Sequence, residues 1–490
     1  MGGGSGGAAE NDDAIDAMIH VDLPLPRQWS TPRLLLPLVI VATALATGSV
    51  VAVLGPIAVI APFALIAGVW VWVRMPGVLL AAYLFLPFYK AAIGPLSPVD
   101  LTPLLAVANA TQVILLLSLR EWPRGSRLGL ALWATFGVLV LAGVTWAGQQ
   151  SIATEHAAFW WLLILLPSIA AIRVASRSRY VDQFLGTGFA IGCMIVVLGL
   201  PSLVGVSRLS VIGQNTLQTG SITLIAALLS VFWILRVAPL WARPLAAVLI
   251  VVAIAESLAS GSRGPLLAFL VALGFGFANR VLSGRAISRH DLGLAALATS
   301  AVGVLLVIIG RLPEQAIARL LMLGEALSPG GSAGTSVGAR VDLFNLATQM
   351  FLGRPILGTG TGAFAAYTTT RAGLSDFTYP HNNLLQIAAE FGVIGVVLFL
   401  ALVALALLRK APASAAWTSV RVIFVFALTL SFTSGDIYGD RLLWGLLVLI
   451  LSAPVAMRYG GHEGEELPID APLGTTMGGA QAPGTTHGVS

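Results

Sequence analysis

Apolar stretches about 20 residues long recur along almost the whole chain, and no other feature restricts its fold so strongly. Such a stretch is long enough, as a helix, to cross ~30 Å of hydrocarbon. A backbone in lipid must also satisfy its own N–H and C=O groups, which limits what can span a membrane. About fourteen such segments fit, beginning with 34–53, 56–73 and 77–95, passing through 292–310 and ending with 441–457. With 57% apolar and 10% charged residues, the chain lies far outside the range of soluble globular domains. The expected fold is all-α, a polytopic helical membrane protein with about 12–14 transmembrane helices and one long, partly helical extracytoplasmic loop.

The charges supply an orientation. If the N-terminus is cytoplasmic and the segments alternate, nine of the 27 basic residues fall outside, namely Lys90, Arg208, Arg263, Arg311, Arg319, Arg340, Arg354, Arg371 and Arg441. The remaining 27 − 9 = 18, among them Arg120, Arg124, Arg127 and Arg173, lie in cytoplasmic segments, as the positive-inside rule requires. Basic residues scattered over short connections do not form a nucleic-acid-binding patch, so no nucleic-acid partner is expected. The single cysteine, Cys193, falls within a predicted span, and no disulfide or thiol chemistry follows from it. The expected organisation is a disordered cytoplasmic tail over 1–30, transmembrane helices over 31–310, the extracytoplasmic loop over 311–381, further transmembrane helices over 382–458, and a disordered cytoplasmic tail over 459–490.

A connection of some 70 residues between spans is too long for a bare linker. Its first part, LPEQAIARLLMLGEAL, has the apolar stripe of a helix lying on a bilayer surface. Its second, ARVDLFNLATQMF, places Leu343, Phe344, Ala347, Met350 and Phe351 on one helical face, with Arg340 on that same face. A guanidinium there either snorkels to the interface or turns into a polar cavity as an anion clamp. The following RPILGTGTGAF carries Arg354, and its Gly358, Gly360 and Gly362 permit a tight turn, best read as turn chemistry rather than a phosphate cradle. Upstream, Arg263 in SGSRGPLL marks a hairpin turning on the same side, as an interfacial anchor or as part of a site.

Pro380, His381, Asn382 and Asn383 form a helix start in which an asparagine can cap free N–H groups. The positive end of that helix disfavours imidazolium, leaving His381 neutral and able to take a proton. Glu390 in the same span and Glu256 in an earlier one are intramembrane carboxylates, either functional or paired with an arginine. Asp436, Asp440 and Arg441 occupy the last outer loop, as a charged rim or as part of a site. No spacing of His, Cys, Asp or Glu forms a metal site, and neither a metal nor a cofactor is expected.

SGSRGPLL, GARVDLFNLATQMFLGRPILGTGTGAF and PHNNLLQIAAEFGVIG, in this order, resemble the shared signature of the O-antigen ligase and O-antigen polymerase superfamily. The resemblance covers roughly residues 210–450. It implies a glycosyltransferase of the bacterial inner membrane with its site facing outward. The implied partners are an undecaprenyl-diphosphate-linked glycan donor, a glycolipid or glycan acceptor, and the lipid bilayer. The family's functional residues map onto Arg263, Arg340 and His381 as the catalytic set; Arg354, Asn382, Glu390, Glu256 and Asp436 are candidate substrate-binding residues beside them. Two arginines can meet the charge that develops on a leaving diphosphate, and His381 is either a general base or a diphosphate ligand. Ligase and polymerase differ only in the acceptor and remain alternatives. A transporter or flippase would call for paired charges at mid-bilayer and two related halves, whereas these charges crowd one face.

Overall fold

Proline, glycine and small polar caps decide where the apolar segments start, bend and stop. A computed structural model describes residues 57–93, 100–119, 125–203, 215–282, 336–372, 378–410, 412 and 414–454. These residues are helical, with no strand among them: α1 Ile57–Arg74, α2 Pro76–Leu84, α3 Leu86–Ile93, α4 Leu101–Ala110, α5 Gln112–Ser118, α6 Arg127–Gly143, α7 Gln150–Trp160, α8 Leu166–Ala175 and α9 Ser178–Leu203. They continue through α10 Thr216–Leu229, the single turn α11 Leu235–Val237, α12 Arg243–Ala259, α13 Arg263–Leu282, α14 Ser336–Gly353, α15 Ala363–Ala372, α16 Asn383–Leu408, α17 Ala415–Ser434 and α18 Arg441–Leu451. Among the described residues nine helical stretches are long and apolar enough to cross a membrane. The chain is an all-α, polytopic helical membrane protein.

Two prolines show how irregular backbone is tolerated at membrane depth. Pro76 has no N–H to give the Trp72 carbonyl, and the chain bends by 96° between Ile66–Arg74 and Pro76–Leu84. The Arg173 side chain donates to the freed Trp72 and Val73 carbonyls at 3.3 and 2.8 Å, and Gln112 Nε2 donates to Trp72 at 3.0 Å. Arg173 is only 1% exposed, so its charge is a buried cap and not merely a marker of topology. Pro167 likewise orphans the Leu163 carbonyl beside the π-turn Trp161–Leu165, and the Tyr83 hydroxyl donates to it.

Several expected boundaries move. Segment 77–95 is divided between α2 and α3, and the end of 441–457 shortens to an 11-residue helix, α18, too short to cross alone and buried inside the bundle. Segments 34–53 and 292–310, the first amphipathic helix of the long loop and both tails lie outside the described residues. Helix starts follow the capping rule: Ser126, Asn215, Asn382 and Ser414 accept from backbone N–H groups of α6, α10, α16 and α17. α13 packs along α17, α10 against α12, and α14 against α16. Beneath the site, Phe136, Trp160, Phe391, Phe399 and Trp444 pack ring to ring, tying α6, α7, α16 and α18 together.

Candidate active site

The hairpin, the loop helix and the start of α16 meet at the C-terminal turn of α17. Gly261, at φ 67°, turns α12 into α13, whose first residue is Arg263. A Cβ on the adjacent Gly264 would lie 2.9 Å from Thr433 Oγ1, so the first turn of α13 rests directly on α17. From α14, Arg340 Nη1 donates to the Thr433 carbonyl at 3.2 Å. From α16, Asn382 Nδ2 donates to the Phe432 carbonyl at 2.9 Å, while its Oδ1 caps the Leu385 N–H at 3.0 Å. Residues 432–433 therefore hold the elements bearing Arg263, Arg340 and His381 in one place.

His381 has φ 57°, the only positive φ of a non-glycine among the described residues. A β-carbon in that region is uncommon, and strain of this kind collects at functional positions. The His381 ring meets Tyr379 edge-on at 4.4 Å between centroids. Burial, then the nearby Arg340 charge, holds the His381 imidazole down at about 4. The neutral ring expected from the sequence is found, but burial and a guanidinium are its causes. Burial and Asp436 push the Tyr379 phenol up, with Arg340 opposing them.

The other candidates divide. Asp436 accepts from Gln386 Nε2 at 3.2 Å and from the Tyr438 N–H at 3.2 Å, and burial pushes its carboxyl up. Asp440 accepts from Asn383 Nδ2 at 3.0 Å and is pushed up to about 7, again by burial. Glu390 is fully buried and accepts from the Gly362 and Phe364 N–H groups at 3.0 and 3.4 Å and from the Tyr438 hydroxyl. Arg354 lies exposed on the turn after α14. Glu256 is fully buried in α12, its carboxylate within 2.6 Å of where a Cβ on Gly199 would stand, and apart from the α17 cluster.

Residues 254–400 match the O-antigen ligase family model. This stretch belongs to the O-antigen ligase superfamily. No curated protein and no solved structure matches the chain. The O-antigen ligase segment contains Arg263, Arg340 and His381, and it ends before Asp436 and the rest of the α17–α18 connection.

Sequence reasoning passed over His156, Gln386 and Tyr438. Gln386 also accepts from the Ile437 N–H at 3.1 Å, and His156 meets Tyr438 edge-on at 4.7 Å. A signal existed for part of this: Asn383, Gln386 and Glu390 are spaced i, i+3, i+7 and share one face of an otherwise greasy helix. That polar stripe faces the α17–α18 connection.

Proposed function

We propose that the chain is an O-antigen ligase-like glycosyltransferase that moves a glycan from undecaprenyl diphosphate to an acceptor hydroxyl on the outer face of the bacterial inner membrane. The convergence of three separate elements on residues 432–433, with a neutral His381 beside Arg340, supports this reading above all. The acceptor oxygen attacks the anomeric carbon as the bond from that carbon to the diphosphate oxygen breaks, which inverts the configuration. His381 takes the hydroxyl proton. The diphosphate leaves with the bonding electron pair, and its charge is met by Arg263 and Arg340 through charge-assisted hydrogen bonds in a poorly solvated setting. Guanidinium groups do here what a divalent ion does elsewhere.

The test is a gel of surface glycan from a deletion strain complemented with Arg263→Ala, Arg340→Ala or His381→Ala. Loss of surface glycan with accumulation on the carrier lipid is expected for each, and normal glycan from all three would overturn the assignment. Incubating the purified protein with carrier-linked repeats alone separates the two superfamily activities: a ligase makes no longer chains until a second acceptor is supplied, whereas a polymerase extends them.

A further inference from the structure

Tyr379 has a second face. Besides its contact with His381 it lines a cavity of about 500 Å³, within the range of small-molecule sites, and none of Arg263, Arg340 and His381 is among the lining residues. Apart from Gln386, the opposite walls come from elements outside the family segment. The Lys90–Asp100 ion pair, N to O 2.9 Å, stands at one edge, with Lys90 also donating to Thr102 at 3.1 Å. His156 and Phe159 of α7 form a second wall, and Gln386 and Asp436 a third.

The lining selects a ligand class. Two cations, Lys90 and Arg441, stand with two carboxylates, Asp100 and Asp436, so there is no excess of charge to hold a bare phosphate. A lipid tail would leave the amide, the carboxylates and the hydroxyls unanswered. A sugar ring answers both halves of the lining. Its hydroxyls donate to Asp436 and Asp100 and accept from Lys90 and Gln386, while its C–H face lies against Tyr379, Tyr438 or Phe159.

We propose that this cavity is the acceptor subsite, holding one pyranose unit so that its reactive hydroxyl reaches past Tyr379 to His381. The inference rests on the glycan-transfer reading and adds to it the side from which the acceptor arrives. The acceptor unit is bound by residues of α3, α4, α7 and the α17–α18 connection, while the diphosphate is bound by α13 and α14. Donor and acceptor are thus assigned to different parts of the chain, and apart from Tyr379 and Gln386 the acceptor contacts lie outside the segment that matches the family.

The test uses the full chain in nanodiscs and, as probe, the oligosaccharide repeat released by mild acid from the host's own carrier lipid. Binding is read by ligand-detected NMR and transfer by steady-state kinetics. Pro103→Trp fills the exposed rim, and Lys90→Ala removes a donor without touching the core. Both should weaken binding and raise the acceptor KM by at least about tenfold, with kcat and the donor KM within about twofold. His381→Ala should bind the oligosaccharide like the native protein and lose kcat. Unchanged binding in both rim variants, no binding by the native protein, or a rise in the donor KM instead would overturn the subsite. Binding that is lost in Pro103→Trp, together with no transfer by the native protein from any carrier-linked donor, would uphold the subsite and sink the transferase reading.

Discussion

The glycine turn over 355–362 and the Tyr379–His381 approach to α16 both have compositions that can hold a ligand, and their polar groups are engaged to opposite degrees. In the first, α16 breaks at Gly392, φ 61°, and the backbone groups released by the break are paired at once. The Ala389 and Glu390 carbonyls accept from Thr359 and Gly360, and the Val393 N–H donates to Pro355 at 2.8 Å. The Gly362 N–H goes to Glu390. The N–H groups of the glycine run, from Gly358 to Gly362, are thus all engaged within the protein and none of them is offered to a phosphate. At His381 the backbone is strained, and among the described residues the imidazole makes no hydrogen bond, only an edge contact with Tyr379 and a charge neighbour in Arg340. A candidate loop is better judged by which of its polar groups are still unengaged than by its composition.

Substitutions at each region should separate the two roles. The largest effect is expected from Gly392→Ala: a Cβ there would stand 2.3 Å from the Ile356 carbonyl oxygen, and the φ alone costs about 1–3 kcal/mol. Size-exclusion chromatography in detergent should show little folded protein, and a normal peak would dissolve the contrast. His381→Asn, which keeps a residue tolerant of positive φ, should leave that peak intact while transfer falls about 10²–10⁴-fold, the usual worth of a positioned base. Glu390→Ala should do the reverse. It strands buried N–H groups of Gly362 and Phe364, each worth about 1–3 kcal/mol, so thermal unfolding moves down while transfer per folded molecule stays within about threefold.

Two smaller effects concern pH. Because the folded His381 titrates at about 4 rather than near 6.5, transfer should stay flat from pH 8 to 5 and fall only as the pH approaches 4. A decline centred near 6.5 would mean that the ring is neither buried nor beside Arg340. Asp440 acts with the opposite sign. Its folded value of about 7 lies above the ordinary 3.8, so the folded chain keeps a proton that the unfolded chain has released, and stability declines as the pH rises through this window. Asp440→Asn should flatten that part of a melting-temperature profile and change little else.

Much of the frame was legible in the sequence because it depends on local chemistry. The Ser260–Ser262 hairpin, the helix through Arg340, the glycine turn and the Asn382 cap each follow from residues a few positions apart. What was not legible depends on partners far along the chain. Glu390 stands out as an intramembrane carboxylate and Asp436 as one of an outer-loop group, yet their surroundings are set by Gly362, Tyr438 and Gln386, which no local pattern connects. His156 reads as the outer flank of one more apolar segment, and only folding brings it against Tyr438. The break at Gly392 was hidden for the same reason, since glycine is ordinary in membrane helices and the groups that satisfy it come from residues 355–360.

The seal on the Pro76 bend carries a consequence for biogenesis. Of the two carbonyls it exposes, that of Trp72 is met by Gln112, 40 residues on, and that of Val73 waits for Arg173, 100 residues further on. Gln112 arrives with α5, but the Val73 carbonyl has no side-chain donor until α8 brings Arg173. The early part of this protein is thus completed retroactively, by an arginine inserted after five further helices.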